Sequence, residues 1–145
     1  MTIKGIIKLD STGLRVNLPE DFSRYYLWLI TKAYYNTIRF DRSRHGTHLS
    51  IITQAIHAAN FNKDYLKQYH NQIVELEYNP EDLIQGGSSK GFINFWFKID
   101  FPLGDKIKKD LNVIENNFRG YHITIGNNII FSSKFRIVVL LILNS

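Results

Sequence analysis

Apolar and polar residues alternate in several short runs along this 145-residue chain, and this two-residue period restricts its fold more than any other feature. The run "FINFWFKID" at 92–100 puts isoleucine and phenylalanine on one side of an extended backbone, and asparagine, tryptophan and lysine on the other. Comparable runs are "KGIIKLD", "GLRVNL", "HLSII", "IVELEY" and "YHITI". The pattern predicts half-buried strands of a sheet that has one apolar face.

Helical spacing occurs between some of these runs. The clearest case is "PEDFSRYYLWLITKAYYNTI", which begins at Pro19 and carries acids in its first turn. Its apolar residues at helical spacing are Phe22, Tyr26, Leu29, Ile30 and Ala33. A weaker helical region covers 54–72, where "HAANFN" is expected to interrupt it, and "PLGDKIKKDLNVI" predicts a short helix after Pro102. The mixture of strands and helices predicts an α+β fold.

Two polar segments are assigned to connections. "GGSSKG" at 86–91 is expected to be a hairpin connection or a mobile loop, and "GNN" at 126–128 is expected to be a turn before a final apolar strand, "FRIVVLLILNS". No linker divides the chain, so residues 1–145 are expected to form one domain.

The composition excludes some classes of protein and favours others. The chain has no cysteine, which excludes disulfide scaffolds, thiolate metal sites and a cysteine nucleophile. The longest apolar run is too short to cross a bilayer, and no signal peptide is evident at the N-terminus, so a cytoplasmic protein without membrane association is expected. The net charge of +5 favours an anionic partner such as a nucleotide or RNA.

Two four-residue segments, "HLSI" at His48 and "HITI" at His122, share one pattern. Each has a histidine, an apolar residue, a hydroxyl residue and a second apolar residue. Because strand side chains alternate, His48 and Ser50 are predicted to lie on one face of their strand. His122 and Thr124 are likewise predicted to lie on one face of theirs. A chain of this composition is expected to contain only about 0.1 such segments by chance, so two indicate a function.

These residue types suit the cleavage of a phosphodiester. In-line cleavage requires a base at the attacking oxygen and an acid at the leaving oxygen, and two imidazoles can fill both roles near neutral pH. Hydroxyl groups such as those of Ser50 and Thr124 can donate hydrogen bonds to the non-bridging oxygens. No metal or other cofactor is required for this chemistry.

The paired motifs resemble the signature of the 2H phosphoesterase superfamily, also called LigT-like. The contexts "RHGTHLSII" and "YHITIGN" are most similar to the Swiss Army Knife 2H branch of bacteria, phages and large DNA viruses. The resemblance implies a two-lobed, pseudo-symmetric fold in which antiparallel sheets form a central cleft and helices lie outside. It also implies that His48 and His122 together form the acid/base pair, without assigning which is the base, and that Ser50 and Thr124 bind phosphate oxygens, although Ser50 stands where threonine is commoner.

The same resemblance implies a metal-independent phosphodiesterase acting on a nucleotide or short oligonucleotide. The substrates it suggests are RNA 2′,3′-cyclic phosphates, 2′-5′ oligoadenylates and cyclic dinucleotide immune messengers of the cGAMP type. In a viral protein, such an enzyme would evade immunity in the host cytoplasm. No obligatory protein partner is evident from the sequence.

Three further residues are candidates for substrate binding. Trp96 could stack on a base, Lys98 could attract phosphate from the same strand face, and Arg44 could steer a phosphate towards the first motif. Each also has an ordinary structural interpretation, as a packed tryptophan, a solvated lysine and an exposed loop arginine.

Several alternatives to the enzyme stay open at the level of sequence. The histidines could be ordinary surface residues, and His45 with His48 could be a metal pair, although no further ligand stands at convincing spacing. The chain could be a non-catalytic RNA- or nucleotide-binding module, or an interaction domain that keeps the fold without the chemistry.

Overall fold

Seven antiparallel strands form one open sheet in the computed structural model, which describes residues 1–37, 39–43, 45–87, 92–114 and 120–129. The strands are β1 Thr2–Asp10, β2 Gly13–Asn17, β3 His48–Thr53, β4 Ile73–Glu77, β5 Leu83–Gly87, β6 Phe92–Ile99 and β7 Tyr121–Ile129. Their order across the sheet is β4-β1-β2-β3-β7-β6-β5. The four α-helices of the described residues are α1 Glu20–Ala33, α2 Gln54–His57, α3 Lys63–Leu66 and α4 Pro102–Asp110. The predicted α+β class is confirmed.

One face of the sheet is apolar and carries the core. Leu49, Phe97 and Ile123 lie on this face and are fully buried. Helix α1 packs against it through Tyr26, whose ring centroid lies 4.8 Å from that of Phe97. Helix α4 packs against the same face, where its Gly104 lies so close to Tyr121 that a Cβ would approach the ring to 2.7 Å. The opposite face is therefore left to the polar residues of the strands.

Helix α1 begins where its sequence predicts but ends at Ala33, whereas the predicted helical stretch runs on to position 38. Pro19 precedes the first turn, where Glu20 and Asp21 face the positive end of the helix dipole. After Ala33 the backbone leaves the helix, because Tyr35 and Asn36 adopt positive φ angles of 55° and 58°.

The region after β3 is helical only in short pieces. Helices α2 and α3 are separated by a 3₁₀ turn at Ala58–Asn60, so the interruption predicted at "HAANFN" is confirmed. Asn62 ends this interruption by accepting a hydrogen bond from the backbone N–H of Tyr65, which caps α3. Among the described residues, no helix has both the length and the apolar composition that a membrane span requires.

One of the two predicted connections is absent from the structure, and the other overlaps a strand. The prediction of a turn at 126–128 is wrong, because strand β7 continues to Ile129 and residues 126–128 pair with β6. Asn127 also exchanges backbone hydrogen bonds of 2.8 and 2.9 Å with Asp41, so hydrogen bonding on both sides keeps this turn-like sequence extended. Gly86 and Gly87, the first two residues of the connection predicted at 86–91, instead end strand β5, for which the sequence predicts no strand. Strand β5 pairs antiparallel with β6, the next strand of the chain, in agreement with the predicted hairpin. Positions 88–91 and the expected last strand lie outside the described residues.

Candidate active site

The two motif strands are neighbours in the middle of the sheet. Strands β3 and β7 run antiparallel, with Leu49 opposite Ile123 on the buried face. The residues on either side of this pair point to the other face of the sheet, where the register puts His48 opposite Thr124 and Ser50 opposite His122. Directly opposed residues have Cβ atoms about 4.5–5.5 Å apart, and diagonal neighbours such as the two histidines are about 7–8 Å apart. The structure thus brings the four predicted site residues together on one face.

Both imidazole rings are held in the same way. The Nδ1 atom of His48 lies 2.9 Å from the carbonyl oxygen of Gly46, and the Nδ1 atom of His122 lies 3.1 Å from that of Gly120. A carbonyl oxygen can only accept, so Nδ1 carries the proton in both rings. Nε2 is therefore the nitrogen left for proton transfer, and both bonds persist whether the ring is neutral or protonated.

Each motif is longer than four residues, because a glycine two positions before the histidine belongs to it. Gly46 and Gly120 have positive φ angles of 73° and 59°, which turn their carbonyl groups towards the rings. The repeated pattern is glycine, any residue, histidine, apolar, hydroxyl and isoleucine, read at 46–51 and 120–125. Sequence reasoning missed this glycine, although the signal is visible in both segments.

Both motif strands have a β-bulge at the isoleucine that ends the motif. Ser50 pairs with Arg15 and Ile52 with Leu14, so Ile51 is an extra residue in β3. In β7, the pairing of Thr124 with Trp96 and of Gly126 with Phe95 leaves Ile125 as the extra residue. A bulge re-aims the strand and lets two successive residues face the core. The two motif strands therefore share their ring-binding glycine, their histidine–hydroxyl pair and their bulge.

The loop before the first motif is tied to the start of α1. Glu20 accepts a hydrogen bond of 2.8 Å from the backbone N–H of Thr47 and pairs with Arg42 at 3.1 Å. The buried hydroxyl of Thr47 is hydrogen-bonded to that of Ser23. These contacts fix the backbone between Gly46 and His48, and hence the carbonyl that orients the first ring.

We predict that alanine is tolerated less well at Gly46 than at Gly120. Both positions have left-handed backbone, which costs an alanine about 1–2 kcal/mol. At Gly46 the added Cβ would also lie 2.5 Å from a carboxylate oxygen of Glu20, whereas at Gly120 its nearest neighbour is Cε of Lys98 at 3.8 Å. Urea unfolding is expected to show about 1–2 kcal/mol more destabilisation for Gly46→Ala, from the weakened hydrogen bonds of Glu20. Equal losses for the two variants would contradict this view of the loop.

The surroundings of His48 favour its neutral form. Burial lowers the pKa of His48 from its ordinary value of 6.5, and the positive charges of Arg15, His45 and His122 lower it further, against the opposing effect of the hydrogen bond to Gly46. The rings of His45 and His48 lie 6.2 Å apart. At neutral pH the ring of His48 is therefore unprotonated at Nε2 and can accept a proton.

Two of the three predicted binding residues lie beside the motifs. Trp96 pairs with Thr124 and Lys98 pairs with His122, so both share the face of the four motif residues. The ring of Trp96 lies over Gly86, where a Cβ would come within 2.3 Å of it. Glycine at that position leaves room for the indole. The third predicted residue, Arg44, lies outside the described residues.

Two more residues on this face were missed from the sequence. Strand β2 places Asn17 opposite His48 and Arg15 opposite Ser50. The alternation in "GLRVNL" does assign both to the polar side of a strand. The pairing of β2 with β3, which brings them to the motif, is a long-range contact that local alternation does not encode.

A cavity of about 980 Å³ adjoins the second motif. Its described lining includes Lys98, Gly120 and Tyr121, together with Lys108 and Asp105 from helix α4. The four motif residues do not line it, and Gly120 and Tyr121 place it at the start of β7. The described residues contain no group of three or more His, Cys, Asp or Glu side chains that could hold a metal ion.

Comparisons with models of protein families, with curated proteins and with solved structures find no match to this chain.

Proposed function

We propose that this protein is a metal-independent phosphodiesterase of the 2H type, which cleaves a cyclic or 2′-linked nucleotide phosphodiester between His48 and His122. The observation that supports this function most strongly is the register of β3 and β7, which sets two histidine–hydroxyl pairs on one face. The Nδ1 atom of each imidazole is bound to the carbonyl oxygen of a different glycine, Gly46 or Gly120, which leaves both Nε2 atoms for the substrate. This arrangement meets the requirement for one acid and one base.

In the proposed reaction, His48 is the base. Its Nε2 takes the proton from the attacking water or hydroxyl as the new P–O bond forms. His122 is the acid, and its Nε2 proton passes to the leaving oxygen as the old P–O bond breaks. The hydroxyls of Ser50 and Thr124 donate to the non-bridging oxygens, where charge is held during transfer. Exchange with water then returns both rings to their starting state.

The two-lobed architecture of 2H enzymes is part of this proposal. The lobes would comprise β4-β1-β2-β3 on one side and β7-β6-β5 on the other, meeting between the two motif strands. The repeated glycine, histidine, hydroxyl and bulge support a pseudo-symmetric relation between them.

A panel of substrates tests the proposed function. The protein is incubated, with and without EDTA, with 2′,3′-cyclic mononucleotides, 2′-5′ oligoadenylate and cyclic dinucleotides, and the products are separated by ion-exchange chromatography. We expect hydrolysis of at least one class, unchanged by EDTA and lost in the double variant His48→Ala, His122→Ala. The function is wrong if none of the substrates is cleaved, or if the double variant retains the activity.

The assignment of His48 as base predicts the pH dependence. A base must be unprotonated, so kcat/KM should fall as acid protonates His48. Because its pKa is lowered, the midpoint of this fall should lie below 6.5. The measurement is kcat/KM across acidic and neutral pH, with the ring assigned by an NMR titration that lacks one signal in His48→Ala. A midpoint at or above 6.5 would contradict the assignment.

A further inference from the structure

Arg15 carries a charge to the edge of the motif face. It pairs directly with Ser50, which itself lies next to His122. Since cross-strand partners point to the same side of a sheet, the guanidinium lies on the face of the two histidines. It is also close enough to His48 to affect the titration of that ring.

An ion pair holds the guanidinium in place without using all of its hydrogen-bond donors. Its Nη2 atom forms an ion pair with the carboxylate of Asp10, which hydrogen bonds from the hydroxyl and backbone N–H of Thr12 keep ionised by lowering its pKa. The Nε atom of Arg15 is buried and has no hydrogen-bond partner among the described residues. A substrate can reach the guanidinium only through its exposed N–H groups, since the side chain is 24% exposed. An anionic oxygen is the acceptor that those groups bind best.

The position of Arg15 distinguishes it from the groups around the reacting phosphorus. Ser50 and Thr124 already serve that phosphate in the proposed reaction, and Arg15 lies one strand beyond Ser50, a step of about 4.7–4.9 Å. Its ion-pair partner, Asp10, lies opposite Gly13, whereas His48 lies opposite Asn17 at the other end of β2. An anion bound there belongs to a different part of the substrate.

We infer that Arg15 binds a second phosphate of the substrate, so that the site prefers nucleotides that carry two phosphate groups over those that carry one. This inference rests on the proposed function, because it takes the reacting phosphate to lie between the histidines. It excludes a simple 2′,3′-cyclic mononucleotide as the preferred substrate. A 2′-5′-linked oligonucleotide with a neighbouring phosphate, or a cyclic dinucleotide, fits the arrangement.

Equilibrium binding of two product-like ligands tests the inference without turnover. Adenosine 2′-monophosphate and adenosine 2′,5′-bisphosphate are titrated into the protein by calorimetry. We expect the unmodified protein to bind the bisphosphate about tenfold more tightly or better, as one charge-assisted hydrogen-bonding group allows. Arg15→Gln should reduce that preference to about twofold or less, with little change for the monophosphate.

Lys8→Gln is the matched control. Lys8 pairs with Arg15 one strand farther from the motif, so its loss removes one positive charge from the same face. The control should keep the preference for the bisphosphate.

Arg15→Lys is the second variant in case the glutamine variant does not fold, because it keeps the charge and can keep the ion pair with Asp10. It should lose about threefold or more of the preference, since it lacks the planar fork of the guanidinium.

Three results would overturn the inference. The first is that the unmodified protein does not prefer the bisphosphate. The others are that substitution of Arg15 lowers the affinity for both ligands equally, or that it leaves the preference for the bisphosphate unchanged. Failure of the proposed function gives a different signature, which is absence of hydrolysis in the substrate panel. The two failures are therefore separable, because the calorimetric result depends on binding alone.

Discussion

Alanine at His48 or at His122 is expected to lower kcat by about 10²–10⁴-fold, the usual contribution of a general acid or base. In the proposed reaction, each substitution removes one of the two proton-transfer groups, while the hydroxyls of Ser50 and Thr124 remain to bind the phosphate. The KM should therefore change much less than kcat. Initial rates on the substrate that the panel identifies provide the measurement.

His45→Ala is the control for this result. His45 stands three residues before His48 and is exposed, but it lies in the loop and not on the motif strand. Its loss should change kcat by no more than about threefold, through its small effect on the neighbouring ring. If His45→Ala and His48→Ala cost the same, the motif histidine has no special role.

The second large effect concerns stability. Replacing Phe97 by alanine is expected to lower the free energy of unfolding by about 3–5 kcal/mol, the cost of removing a large buried aromatic side chain. Phe97 is fully buried on β6, and its ring contacts those of Tyr26, Phe22 and Tyr78, with centroids 4.8, 5.7 and 5.5 Å away. The variant would leave a cavity between the sheet and α1. Urea or thermal unfolding measures the loss.

Lys98→Ala is the matched control for this variant. Lys98 is the next residue of β6 and points to the opposite, exposed face. Its substitution should change the free energy of unfolding by no more than about 0.5 kcal/mol. Similar losses at the two positions would mean that the apolar face of β6 is not where the structure puts it.

Local periodicity was enough to assign faces within single strands. The alternation in "FINFWFKID" placed Phe97 in the core and Trp96 and Lys98 on the other side, and the structure has them so. The alternation in the two motifs likewise put each histidine on the same face as its hydroxyl residue. A side chain's face follows from the geometry of an extended backbone, so it can be derived without knowing the neighbouring strand.

Pairing between distant strands could not be derived in this way. Nothing within "HLSI" or "HITI" specifies that Leu49 meets Ile123, because that contact depends on the packing of the whole apolar face. The placement of Arg15 opposite Ser50 depends on strand pairing for the same reason. The segment "GNN" at 126–128 shows the reverse effect, since hydrogen bonds to Asp41 and to β6 keep a turn-forming sequence extended.

The ring-binding glycines fall between these two cases. Gly46 and Gly120 stand at the same distance before each histidine, and the repeat is visible in the sequence once the motif is extended by two residues. Its meaning required the structure, because the hydrogen bond from Nδ1 depends on a left-handed backbone at the glycine.

A crystal structure of the protein with a nucleoside vanadate, which mimics a five-coordinate phosphorus, tests most directly whether both imidazoles serve one phosphate. We predict that the vanadium lies between the two rings, with Nε2 of His48 and Nε2 of His122 each about 2.6–3.2 Å from an apical oxygen. The hydroxyls of Ser50 and Thr124 should contact the equatorial oxygens. Vanadate that binds away from the β3–β7 face, or that contacts only one of the two rings, would contradict the account.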